Sequence, residues 1–294
     1  MSKKFLFLRF WPVEIVLFIY FLLTFILLIF YQSQLPDVQF HITIRGLLLT
    51  MLFLLIYLEN KNQKGKTYYV IRLFAPLLLL PFFYKETDYF NNLFFTENLD
   101  PFFADLEYAL FNSQPSLIFS EKINSDWFSE LMYFGYFFYY LLILFIPLYA
   151  FYKKGGNLAE KIIFIVITSF LIYYSIFILI PVAGPQFYFI EYINQLPKGY
   201  VFGPIMKYIQ LNGEGQTGAF PSSHVSICLI LLYLCYKELK ELLSFVLTVS
   251  ILLILSTVYI MAHYVIDIIG ALLLTPLIYF ISNRLYNKFI TNSV

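Results

Sequence analysis

Apolar residues gather into runs longer than a soluble helix buries. They fall at about 11–31, 43–58, 69–84, 131–152, 162–183, 224–236, 243–262 and 264–282. Crossing a hydrocarbon core takes roughly 20 apolar residues in a helix. The pattern therefore predicts an all-α, polytopic transmembrane helical bundle of about eight spans, the sixth short and the last two nearly continuous. Lys3, Lys4 and Arg9 resemble the basic start of a secretion leader. The run behind them is about twenty residues long and lacks a small-residue cleavage site, so it reads as a retained first span. Two connections are long, about 85–129 and 184–221. In the first, Asp100-Pro101 reads as a helix start, Asp at the N-cap and Pro at the first helical position. Phe102, Phe103, Leu106, Ala109 and Leu110 then recur at helical spacing, with Asp105 and Glu107 off that face. This predicts a helix lying at the membrane surface, as a lid on the outer helix ends or as a substrate guide. The second carries Gly203, Gly213, Gly215 and Gly218, which permit tight turns. It has no Gly-Lys-Ser/Thr and is not a nucleotide-binding loop.

Composition agrees with the runs. Of 294 residues, 61% are hydrophobic and 13% charged, against roughly 25% charged in soluble domains, so an integral membrane protein is expected. A net charge of +1 offers nothing to nucleic acid. Cys228 and Cys235, roughly 10 Å apart along one predicted helix, are too distant for a disulfide. The cations orient the chain. With the N-terminus in the cytoplasm, fourteen of the 19 Lys and Arg fall inside, and only Arg45, Lys85, Lys122, Lys198 and Lys207 fall outside. That bias places both termini in the cytoplasm. His41, His224 and His263 then sit at the outer ends of spans or in outer loops, so a site built on them opens to the extracytoplasmic side.

The polar residues that remain are few and paired. His263 and Asp267 are four apart, on one helical face. Pro221-Ser222-Ser223-His224 stands about forty residues earlier, where the second long loop enters a span. A helix N-terminus there offers unpaired N–H groups to a phosphate. An imidazole held by a carboxylate and facing a second imidazole suits nucleophilic phosphoryl transfer with acid/base help. Two His and a carboxylate also suit a metal, although no further His, Cys or Glu is placed to complete the set. A polar pair can equally glue helices together or line the cavity of a lipid transporter.

With Pro221, Ser222 and His224 followed by Ser256, His263 and Asp267, the chain resembles the type 2 phosphatidic acid phosphatase superfamily, the last three residues standing at the spacing of that family's third motif. Ser223 replaces the Gly of that family's second motif, and Thr257 the Arg of its third. Its first, Lys- and Arg-bearing motif is missing; Pro181-Val182-Ala183-Gly184-Pro185-Gln186-Phe187 occupies its place, and no Lys or Arg lies between Lys161 and Lys198. The resemblance implies N-terminal spans with an interfacial loop over 1–130, then a six-helix catalytic core over 131–294. It implies His263 as a nucleophile forming a phosphohistidine, Asp267 orienting it, and His224 protonating the leaving alkoxide. Ser222, Ser223 and Gln186 would hold the phosphoryl oxygens, with neither metal nor cofactor. A site short of cations suits a monoanionic diester better than a dianionic monoester. That favours the transferase branch resembling inositol phosphorylceramide and sphingomyelin synthases, which move a phospholipid headgroup onto a lipid alcohol. Water as acceptor, giving a lipid phosphate phosphatase, is the alternative, with Lys198 or Lys207 supplying a cation. The expected setting is a bacterial inner membrane.

Overall fold

The computed structural model describes residues 9–61, 65–193, 196 and 198–291. Among these there are helices and turns and no strand. The N-terminal helices are α1 (Pro12–Phe30), α2 (Val38–Lys61), α3 (Lys66–Leu78) and α4 (Leu80–Tyr89). Two short helices follow, α5 (Asp100–Phe111) and α6 (Pro115–Lys122). Next come α7 (Asp126–Lys154), α8 (Gly156–Leu179), α9 (Pro185–Tyr188), α10 (Ile190–Ile193) and α11 (Phe202–Gly213). The chain closes with α12 (Ser223–Glu238), α13 (Leu243–Tyr259) and α14 (Val265–Thr291). Seven segments are long and apolar enough to cross a membrane, α3 and α4 counting as one. The protein is an all-α, integral membrane helical bundle. The eighth expected span is α12, whose 16 residues rise only about 24 Å. It is enclosed by α8, α13 and α14 and need not meet lipid on all sides.

The centre of the bundle is α8. Every residue from Ile162 to Leu171 is buried, the mark of a helix surrounded by helices rather than one with a single apolar face. Around it stand α7, α12 and α14, with α13 closing on α7 and α12. On the other side α8 meets α1, α3 and α4. The outermost helix is α2, with Phe40, Leu47 and Met51 exposed, as a lipid-facing helix requires. Two buried ion pairs fasten it. Arg45 reaches Glu86 of α4 at 2.7 Å and Thr24 of α1 at 2.8 Å. Arg72 of α3 takes both Glu14 oxygens at 2.6 and 2.7 Å, bonds Glu59 of α2 at 2.6 Å, and lies over the Trp11 ring. Arg45 and Arg72 thus lie inside helices, as cross-links, whereas the sequence reading counted them among loop cations.

The interfacial helix predicted after Asp100 is present, but two of its three carboxylates turn inward. Phe102 and Leu110 are exposed, whereas Asp100 and Glu107 are buried. Asp100 leaves the N-cap position to Leu99 and spends its carboxylate on another segment. Asp105 alone behaves as the amphipathic pattern predicts.

Candidate functional site

Three turns meet at one end of the bundle. Residues 260–264 join α13 to α14 and carry His263. Gly218–Ser222 leads into α12 and His224. Pro181–Gly184 leads into α9 and Gln186. Backbone hydrogen bonds lock them together: Gln186 N donates to Met261 O at 2.8 Å, Ala219 N to Val182 O at 2.9 Å, and Ser222 N to Asp267 O at 3.1 Å. Gly184 is needed where it stands. Its φ is +98°, and a Cβ there would sit 2.9 Å from Ala262 O. The Ser222 side chain caps α12, accepting from Val225 N at 3.3 Å, a contact worth roughly 1 kcal/mol.

α5 ties these turns from outside. The Asp100 carboxylate accepts from Ala183 N and Gly184 N, both at 2.8 Å, and from the Tyr264 hydroxyl at 3.1 Å. Glu107 accepts from Val265 N at 2.5 Å, satisfying a free donor at the start of α14. Phe103 packs on Phe220 with ring centres 4.7 Å apart. Burial pushes the Asp100 carboxyl up and lifts Glu107 to about 7. Packed on these turns, α5 forms a strap across the site.

The predicted trio lies in line. His263 Nδ1 is 3.3 Å from Asp267 Oδ2, and His263 Nε2 is 3.3 Å from His224 Nδ1. His224 Nε2 lies 3.2 Å from the Tyr136 hydroxyl, which donates at 3.2 Å to Glu214 Oε1. The two His263 nitrogens therefore face different partners, and the three groups form a row rather than converging on a point. Asp267 Oδ2 also accepts from Tyr264 N at 2.9 Å, while its Oδ1 has no partner. Burial lowers the His263 imidazole to about 4, against the upward pull of nearby Glu214. Burial thus favours the neutral ring, whose Nε2 faces His224 Nδ1.

Ser222 and Ser223 are buried beside His224 at the start of α12. Gln186 reaches the site, but its amide is engaged: Nε2 donates to Glu214 Oε2 at 2.5 Å, and Oε1 accepts from Gln210 Nε2 at 2.9 Å. Thr257, where the family pattern has Arg, bonds back to Ile254 O within its own helix. His41 stays away from the site, stacked on Tyr89. Lys198 and Lys207, the two cations considered for the site, line an outer cavity together with Gln186 and Glu214. Sequence reasoning passed over Tyr136 and Glu214. Tyr136 is one of 26 tyrosines. Glu214 had a signal, a lone carboxylate between Gly213 and Gly215 in a loop otherwise reserved for turns.

A cavity of about 280 Å³ opens beside His224, Ser223 and Glu214 and runs between α3, α4, α7 and α8. Its far walls are Leu77, Leu78, Leu144 and Phe170, suited to hydrocarbon. The geometry thus offers an imidazole beside a carboxylate, a second imidazole facing it, and an apolar slot next to them.

Comparison with known proteins points to a family. A PA-phosphatase related-family protein of Dictyostelium discoideum is 30% identical over 114 residues, 37% of this chain. The chain spans about a fifth of that relative's length, the matched part being 20% of it. No solved structure matches the chain. The family model described as the PAP2 superfamily matches residues 105–281, from within α5 to α14 and across all three site-bearing turns. The chain belongs to the PAP2 superfamily.

Proposed function

We propose that the protein transfers the phosphate-linked headgroup of a membrane phospholipid to a lipid alcohol, by way of a phosphohistidine at His263. The row from Asp267 through His263 and His224 to Tyr136 carries this reading. In the first step His263 Nε2 attacks phosphorus, the bond to the diglyceride oxygen breaks, and the leaving alkoxide takes a proton from His224 Nδ1. In the second, an alcohol gives its proton to His224 while its oxygen attacks phosphorus. The P–N bond breaks, and its electron pair returns to Nε2. Asp267 holds Nδ1–H and stabilises the positive ring that forms. Ser222, Ser223 and the first N–H groups of α12 would supply donors to the phosphoryl oxygens.

The choice of donor rests on charge. Phosphatases neutralise a dianionic monoester with cations, each charged hydrogen bond contributing roughly 1.5–3 kcal/mol. Here Thr257 and Gln186 stand at those places, and the half-buried neighbour is Glu214, an acid. A monoanionic diester suffers less from that environment. The runner-up is hydrolysis of a lipid phosphate, with Lys198 or Lys207 folding inward. The deciding experiment offers purified protein phosphatidic acid, several phosphodiester lipids and a lipid alcohol, with products resolved by mass spectrometry. Headgroup exchange that disappears in His263→Ala is expected. Phosphate release from phosphatidic acid without lipid-to-lipid transfer would establish the hydrolase instead.

A further inference from the structure

Two cavities meet at Glu214. The apolar one beside His224 is described above. The other, about 360 Å³, lies outside it, between α9, α10, α11 and Tyr133 of α7. Glu130 fixes its roof by accepting from Val201 N at 2.8 Å and Phe202 N at 2.9 Å at the start of α11. Its floor adjoins the nucleophile turn, because Gln186, which lines it, donates its backbone N–H to Met261 O.

Stereochemistry assigns the two spaces different work. In-line displacement puts the leaving diglyceride oxygen opposite His263 Nε2. By microscopic reversibility the incoming alcohol must attack phosphorus from that same place, where His224 serves as acid and then as base. One apolar cavity therefore serves both lipid alcohols in turn. The phosphorus substituent that is neither broken nor formed, the headgroup, has to lie in another direction. The outer cavity is the space available to it.

The lining of that cavity indicates what kind of headgroup fits. Gln210 donates to Gln186, Gln186 donates to Glu214, and Tyr136 donates to Glu214 Oε1. Both carboxylate oxygens are thus already engaged, so Glu214 does not present a bare negative charge. Lys198 and Lys207 are exposed groups at the rim. A ladder alternating amide donors with carbonyl and carboxylate acceptors matches hydroxyl groups, which both give and accept hydrogen bonds. We propose that the outer cavity is the headgroup subsite, and that the Gln210–Gln186–Glu214 ladder selects donor phospholipids whose headgroup carries hydroxyls. This rests on the headgroup-transfer reading above and adds the class of donor.

Three donors test it, presented in vesicles of otherwise identical composition: phosphatidylglycerol, phosphatidylmethanol and phosphatidylethanolamine. The readout is His263-dependent release of diglyceride. The wild-type protein should favour phosphatidylglycerol over phosphatidylmethanol, an equally charged diester without free hydroxyls, by at least about 10-fold in kcat/KM. Gln210→Leu, which removes one rung of the ladder, should bring that ratio down about 10-fold, toward equal use of the two donors. Ile190→Trp, which fills the cavity, should shrink it in the same direction. Equal use of the two anionic donors, a preference for phosphatidylethanolamine, or a Gln210→Leu loss that leaves the ratio unchanged would overturn the assignment. Absence of His263-dependent release from every diester would instead remove the transfer reading itself. The two failures are distinct, one read in a ratio and the other in the wild-type rate.

Discussion

Replacing Asp267 by Asn isolates what its charge contributes. One oxygen, Oδ2, takes both the Tyr264 N–H at 2.9 Å and the His263 Nδ1 at 3.3 Å, whereas Oδ1 has no partner. An asparagine can therefore place its carbonyl at the Oδ2 position and keep both contacts. The reversed amide would set an NH2 against the Tyr264 N–H, donor against donor, so the backbone enforces the correct orientation. The His263 tautomer survives, and only charge is lost. A floor for the effect is the gap between a charge-assisted and a neutral hydrogen bond, about 1 kcal/mol. A ceiling is the attraction between a carboxylate and a full positive charge 3.3 Å away, about 5 kcal/mol at an effective dielectric of 20. We expect about 2–4 kcal/mol, a fall of roughly 30- to 900-fold in kcat/KM. The assay is diglyceride release from a diester donor, with acid-stable and acid-labile phosphoprotein separated after quenching. Asp267→Asn should still form the labile phosphohistidine. Activity as low as that of His263→Ala, or equal to wild type, would refute the reasoning.

Tyr136→Phe removes the hydroxyl bridging Glu214 and His224. Turnover should drop about 10-fold for lipid alcohol leaving groups and hardly at all for a nitrophenyl ester, and equal losses on both would deny His224 its acid role. Glu107, lifted to about 7 from the ordinary glutamate range near 4.5, holds its proton more tightly folded than unfolded. It therefore stabilises the protein at low pH and loses that contribution as pH rises from about 4.5 through 7. Glu107→Gln should melt with wild type at pH 5 and several degrees higher at pH 8, and parallel melting profiles would contradict this. For orientation, Asn212→Cys should react with an impermeant thiol reagent from the extracytoplasmic side and Lys154→Cys only after permeabilisation, with Cys228 and Cys235 replaced by serine. The opposite pattern would turn the site toward the cytoplasm.

The spans were legible because a membrane helix must be apolar over its whole length, a condition few other segments meet. His224, His263 and Asp267 could be grouped because polar residues are scarce there, and His263 and Asp267 are four apart on one helical face. α5 misled in part: amphipathic reasoning assumes that charge seeks water, yet Asp100 and Glu107 bury their carboxylates to satisfy backbone N–H groups of distant turns. No local pattern encodes a partner about 80 or 160 residues away. Arg45 and Arg72 misled similarly, since a cation near a predicted span end reads as a loop charge until its carboxylate partner is seen. Gln186 could be placed at the site, but not its engagement with Gln210 and Glu214, which depends on how α11 folds back over α7.

The α5 strap links the chemistry to the mechanical state of the bilayer. Its side chains Phe102 and Leu110 are exposed on the outward face, while its inward carboxylates grip the turns bearing Gln186 and His263. On the proposed mechanism, a shift of this helix with interface depth would change the separation between His263 and His224. A thicker or more ordered membrane would then act on the helix that fastens both turns. The expected consequence is a turnover that varies with acyl-chain length and packing of the host lipid, even when that lipid is not consumed.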